Sequence, residues 1–177
     1  MKLIASALYF SPVFAGLIGY QLHSYMAGAA GALGCILLMV IGIKVRKLPI
    51  VQWRKIDGAN GRNWPLLVIM DPDAAAYKAV LAQEIWESIH KTNPINLLKT
   101  RSGKGAQELE LMGHEIEVQV AVLLYGVKEH EYRKREAESM KGYPQFKGWE
   151  TPDIVDGMMD KTNAAQSWVA KNQTRFA

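Results

Sequence analysis

Helical spacing places Gln83, Glu84 and Glu87 on one face of a segment covering residues 74–91. It places Glu110, His114 and Glu117 on one face of a second segment, residues 106–125. Both segments also carry an apolar face. Ala76, Val80, Ala82, Ile85, Trp86 and Ile89 form the first, and Leu109, Met112, Ile116, Val120 and Leu123 or Leu124 the second. If the helices pack antiparallel, carboxylates, one amide and one imidazole can meet at a shared seam. Carboxylates at such a seam repel unless they are protonated, paired with Lys or Arg, or bridged by a cation. In the bland alternative these groups flank the seam in water and only apolar residues touch.

The surrounding elements follow from composition. Residues 50–56 and 64–70 have β-type composition, and the cluster Asp57-Gly58-Ala59-Asn60-Gly61-Arg62-Asn63 between them reads as a hairpin turn. Pro65 assigns the start of the second strand to an edge. Asp73 is a candidate N-cap for the first helix, and Asn93-Pro94 stops it. A basic connection over 96–105 leads to the second helix, which Gly126 ends. Residues 129–141 read as a charged helix with Tyr132, Ala137 and Met140 as burial points and Arg133-Lys134-Arg135-Glu136 as a solvent face. An aromatic loop over 143–149 precedes a last helix from Thr151, its expected N-cap, to about residue 172.

The run Val80-Leu81-Ala82-Gln83-Glu84-Ile85-Trp86-Glu87, followed by a helix bearing Glu110-Leu111-Met112-Gly113-His114, resembles a small gluzincin-type metallopeptidase domain over residues 64–126. In that family the first helix carries His-Glu-x-x-His, two zinc ligands with the general-base Glu between them, and the next helix supplies a Glu as third ligand. The run Gly113-His114-Glu115-Ile116-Glu117-Val118-Gln119 is similar to phage and bacterial zincin-like proteins. The resemblance implies Glu84 as general base and Glu110 as third ligand, with Gln83 and Glu87 in place of the histidines and His114 in place of the usual Asp. An amide is a poor zinc ligand, and Glu87 turns a nitrogen position into an oxygen one. The set Gln83, Glu87, Glu110 and His114 is therefore expected to bind metal weakly or to have lost it.

Glu84-x-x-Glu87 and His114-x-x-Glu117 also resemble the ligand placement of di-iron bundles, for which the other helices offer His130, Glu131 and Asp156 but no Glu-x-x-His pair. His90 and His130 read as surface residues. The chain has no Walker loop, dinucleotide Gly fingerprint, Cys-x-x-Cys pair or Ser nucleophile elbow.

Charge locates the protein more firmly than any motif. Residues 1–43 hold no acidic residue and one basic one, Lys2. From residue 44 to 55 there are five basic residues, Lys44, Arg46, Lys47, Arg54 and Lys55, and no acidic ones. Beyond that, 15 basic residues face 17 acidic ones. A nucleic-acid binder spreads its basic residues over a folded face, so no nucleic-acid partner is expected. A basic collar beside an apolar segment suits anionic lipid headgroups.

Residues 3–20 and 26–43 are apolar runs of about 18 residues, near the lower limit for a helix crossing a bilayer. Gln21-Leu22-His23-Ser24-Tyr25 interrupts them. The pairs Ala27–Gly31, Gly28–Ala32 and Ala30–Gly34 have the spacing that lets membrane helices approach. Lys2 and the collar would lie on one side, cytoplasmic by the positive-inside rule, with both termini there. A cleaved signal peptide ending near Ala27-Gly28-Ala29 is the competing expectation, and a hairpin buried in a soluble domain a weaker one. Pro12 is expected to kink the first span, and Cys35 to be a packing residue.

The expected fold is mainly α with a small β-hairpin: a transmembrane helical hairpin (1–43), a collar with the first strand and turn (44–63), a small α+β zincin-like strand and helix pair (64–126), and a charged helix, aromatic loop and C-terminal helix (127–177). The expected function is that of an integral membrane structural or interaction protein whose zincin-like domain is a pseudoenzyme, with a phage virion membrane as its expected setting. Its expected partners are the bilayer and other membrane or virion proteins, a second copy of the chain included. Tyr143, Phe146, Trp149, Trp168 and Phe176 are the candidate anchors for them. No cofactor is expected. The alternative is a membrane-bound, metal-dependent hydrolase with Glu84 as base and zinc or another divalent metal.

Overall fold

The computed structural model describes residues 2–21, 24–100 and 103–176. Leu22 and His23 of the expected inter-helix turn, and Arg101 and Ser102 of the basic connection, lie outside the described residues. Two apolar helices come first, α1 (Lys2–Gln21) and α2 (Tyr25–Lys44). Both are long and apolar enough to cross a membrane, and only 11% and 6% of their apolar windows are buried within the protein. That exposure removes the reading of a hairpin hidden in a soluble core. Pro12 cannot donate to the Leu8 carbonyl, and the Ser11 hydroxyl donates to it instead at 2.8 Å, so the break in the helix ladder is filled locally.

The helices meet at Gly19 and Gly28, where a Cβ on Gly19 would sit 2.2 Å from the Gly28 Cα. Gly31 packs on Ala15, whereas Gly34 faces open space and Ala27 and Ala30 are exposed. Of the three small-residue pairs expected at the seam, Gly28 and Gly31 touch α1 and Ala32 is partly buried, while Ala27, Ala30 and Gly34 are exposed.

Three short strands follow: β1 (Ile50–Trp53), β2 (Gly61–Trp64) and β3 (Leu67–Met70), in the order β1-β3-β2. β1 runs parallel to β3, pairing Ile50 with Leu67, and β2 runs antiparallel to β3, pairing Trp64 with Leu67. The expected hairpin between 50–56 and 64–70 is thus replaced by one between β2 and β3, turned at Pro65-Leu66. Proline presets the first turn position and Leu66 takes φ 62°, a left-handed conformation held by its complete burial. The cluster over 57–60 becomes a crossover, and Gly61-Arg62-Asn63 becomes strand because it pairs with β3. β3 is buried on both faces. Val68 and Met70 join the main core, while Leu67 and Ile69 join a smaller one with Ala5, Tyr9, Met39 and Ile43 of the hairpin.

The helical part comprises α3 (Tyr77–His90), α4 (Pro94–Lys99), α5 (Gly103–Tyr125), α6 (Glu129–Met140), α7 (Thr151–Met159) and α8 (Thr162–Asn172). Asn93 does not merely stop α3: its side chain caps α4 by accepting from the Ile95 amide at 2.9 Å. Asp73 is not the cap of α3, which starts after Ala76. Glu150 rather than Thr151 caps α7, in a reciprocal capping box with Asp153. The expected single C-terminal helix bends at Asp160-Lys161 into α7 and α8, and both lay apolar residues, Ile154 and Met158, then Ala165 and Val169, into the main core.

α5 is buried almost all round between α3, α6, α7 and α8, although Leu123 and Leu124 at its end are exposed. Tyr132, Ala137 and Met140 of α6 are buried as expected, but so are Arg133 and Glu136. Arg133 grips Glu115 through two hydrogen bonds of 2.8 and 2.7 Å, and Gln119 and Thr162 also donate to Glu115. The candidate partner anchors lie in the domain: Phe146 and Phe176 are core residues, and Tyr143, Trp149 and Trp168 pack against the core.

Candidate functional site

α3 and α5 do pack together, and their polar faces meet a third element that the sequence concealed, strand β2. Two glycines let the backbones close on the carboxylates. A Cβ on Gly61 would lie 2.6 Å from Glu84 Oε1, and one on Gly113 2.8 Å from Glu87 Oε1. Gln83, Glu84 and Glu87 are buried. With Glu110, Asn63, Lys91 and Tyr143 they line a cavity of about 680 Å³.

Within it the hydrogen bonds are already made. The Asn63 amide donates to Glu84 and, at 2.8 Å, to Glu87 Oε2. Lys91 Nζ donates to the same Glu87 oxygen at 3.0 Å and to Asn63 Oδ1 at 2.6 Å. The Gln83 amide donates to Glu87 Oε1 at 3.1 Å. Both oxygens of Glu87 are engaged, Oε1 by Gln83 and Oε2 by Asn63 and the Lys91 ammonium.

The charges left over set the acidities. Burial, reinforced by Glu87, pushes Glu84 up to about 8 against the pull of Asn63 and Lys91. Burial and Glu87 likewise push Glu110 up to about 7. Burial and then Glu110 push Tyr143 up to about 12.

His114 does not line this cavity. It turns into an adjoining one of about 500 Å³ with Glu117, Glu136, Tyr132 and Arg135. The two cavities share Gly61, Gln83, Glu84 and Tyr143 as walls. His114 Nε2 lies 3.8 Å from Glu110 Oε2, and Nδ1 lies 3.3 Å from Glu136 Oε2 and 3.8 Å from Glu117 Oε2. Burial disfavours charge on the ring, but Glu136, Glu117 and Glu110 outweigh it and lift His114 to about 9. Burial and Glu136 push Glu117 up to about 7. The expected group of Gln83, Glu87, Glu110 and His114 is therefore divided between two neighbouring chambers.

Asn63, Lys91 and Glu136 were not foreseen. Lys91 carried a legible signal, four residues after Glu87 on the same helix face. Asn63 lay in a turn cluster and Glu136 in a run of mixed charge, and neither context marks a buried group. The di-iron candidates His130, Glu131 and Asp156 are all exposed. His90 is half-buried rather than on the surface, stacked on Trp86 with ring centroids 5.0 Å apart. In the collar Lys44, Arg46, Lys47, Arg54 and Lys55 are all exposed. Arg46 also bonds Thr174 and the Lys171 carbonyl, and Lys55 pairs with Asp73 at 3.2 Å.

No protein-family model, curated protein or solved structure matches the chain.

Proposed function

We propose that the chain is a membrane-anchored structural or interaction protein whose helical domain retains a zincin-like arrangement without its hydrolytic metal. The observation that carries this reading is the Lys91 ammonium 3.0 Å from Glu87, with Asn63 joined to Glu84 and Glu87. A cation at that position would have to displace the lysine and repel its charge. Glu84, raised to about 8 by burial and Glu87, is mostly protonated at pH 7 while no cation stands beside it. The two apolar helices, with their outward Phe14, Leu17, Leu33 and Leu38, support insertion in a bilayer as a hairpin. The exposed collar supports contact with anionic headgroups on the cytoplasmic or equivalent side. Both termini would lie on that side, and a virion or cell-envelope membrane is the setting this reading favours.

The competing reading, a metal-dependent hydrolase, draws on the open cavity beside Glu84. One preparation separates the two: full-length protein purified in detergent and assayed for bound zinc, alongside the Gln83→His, Glu87→His double variant. Zinc that is lost in Glu87→Gln and in Glu110→Gln would overturn the structural reading. Sidedness is tested in sealed membranes, where Lys147→Cys should label from the cytoplasmic face and Ser24→Cys from the other, in a Cys35→Ala background.

A further inference from the structure

We propose that His114, Glu117 and Glu136 form a second, separate site for a single first-row divalent transition-metal ion of the zinc class, tying α5 to α6. The donors are already aimed. Glu117 Oε1 accepts from the Tyr132 hydroxyl at 2.8 Å, and Glu136 Oε1 accepts from Arg135 at 3.0 Å. Each carboxylate thus has one oxygen held by a protein donor and the other, Oε2, directed at the imidazole. The three donor atoms lie within 4.8 Å of one another. Zinc bonds of about 2.0–2.2 Å put neighbouring tetrahedral ligands roughly 3.3–3.6 Å apart, so the 3.3 and 3.8 Å separations from Nδ1 need little adjustment.

The second observation is independent of the acidic cluster. The His114 side chain is only 6% exposed, and although Glu136 Oε2 lies 3.3 Å from Nδ1 as a charge partner, neither ring nitrogen makes an aligned hydrogen bond. A buried imidazole seldom lacks an aligned partner, and a metal at Nδ1 would take the place of the ring proton, which is released to solvent on binding. Tyr132 and Arg135 then serve as the outer donors that orient ligating carboxylates in metal centres. One imidazole with two carboxylates selects zinc, iron or manganese over magnesium and calcium. The cavity, bordered by the crossover residues Gly58, Ala59 and Asn60, leaves room for water at the remaining position. The site includes neither Glu84 nor Glu87, so it stands whether or not the chamber beside Lys91 ever held metal.

The test uses full-length protein in detergent, stripped with chelator and titrated with zinc chloride, then cobalt chloride, in excess magnesium. Wild type should bind one equivalent, retain it through gel filtration, and show a thermal midpoint that rises with zinc concentration. Glu136→Gln, which keeps shape, and His114→Gln should each weaken binding by at least about 100-fold and abolish the cobalt visible spectrum. Glu87→Gln should leave the affinity within about twofold. If His114→Gln fails to fold, Glu136→Gln and Glu117→Gln still decide the matter. Absence of binding over magnesium, or binding that survives Glu136→Gln, overturns the site, as does binding that requires Glu87. The last outcome would also revive the hydrolase reading.

Discussion

Lys91 Nζ, at the C-cap of α3, lies 3.0 Å from Glu87 Oε2 one turn back, and the same ammonium reaches Asn63 Oδ1 on β2 at 2.6 Å. A single lysine therefore neutralises a carboxylate that is 4% exposed and ties the sheet to the helix. Lys91→Met should lower the unfolding free energy by about 1–3 kcal/mol, the range between a surface pair and a fully buried one. Adding Glu87→Gln to that variant should restore most of the loss, because it removes the stranded charge. Denaturant titration in detergent checks both.

Stability should fall as pH rises from about 5 to 9 in chelator. Glu84, Glu110 and Glu117 hold their protons in the fold to about 8, 7 and 7, above their ordinary value of 4.5. The folded state therefore binds more protons than the unfolded one across that window. His114 acts in the same direction: its contribution is full below 6.5 and lost as pH passes about 9. Below about pH 4.5 the sign reverses. Glu136, held down by His114 and Arg135 against burial, Glu129, held down by Arg133, and Asp71, held down by the Ile56 and Asp73 amides, all lose favourable interactions there. The optimum should lie near pH 5. Glu84→Gln should raise stability at pH 9, by of order 3 kcal/mol, and change little at pH 5. A flat thermal-midpoint profile between pH 5 and 9 would contradict this.

Arg133→Met should be among the most damaging single substitutions. It leaves Glu115, fully buried, without its bidentate partner, at a cost of about 3–5 kcal/mol. The double variant with Glu115→Gln should be far milder, since Gln119 and Thr162 remain to satisfy the amide oxygen. Urea unfolding of the wild type, Arg133→Met, Glu115→Gln and the double variant gives the coupling directly.

Glycine-to-alanine substitutions should separate three kinds of site. Gly113→Ala meets Glu87 and Gln83 at 2.8 and 3.2 Å and should cost about 1–3 kcal/mol. Gly19→Ala meets the Gly28 backbone at 2.2 Å and should part α1 from α2, which cross-linking between the two helices would report. Gly34→Ala meets nothing within 4 Å and should be neutral or slightly stabilising.

Much of the architecture could be read from local pattern. The absence of acidic residues before residue 44 and the long apolar runs announce α1 and α2, because bilayer-scale helices need only length and hydropathy. The alternation of apolar and polar residues over 77–90 and 106–125 announces α3 and α5, because a helix repeats every 3.6 residues whatever it packs against. That Gln83, Glu84 and Glu87 share one face of α3, and Glu110, His114 and Glu117 one face of α5, followed from this spacing, but whether those faces meet or lie in water did not.

Pairing and partnership did not follow, because they depend on residues far apart in the chain. Gly61-Arg62-Asn63 has turn composition and becomes a strand only because β3 lies beside it. Arg133 and Glu136 resemble any charged helix face until α5 brings Glu115 and His114 against them. Sequence alone determined which residue types lie along each helix. Tertiary packing decided which charges are neutralised and which remain exposed to one another, since Coulomb energy depends on distance and burial and neither is written in the order of residues.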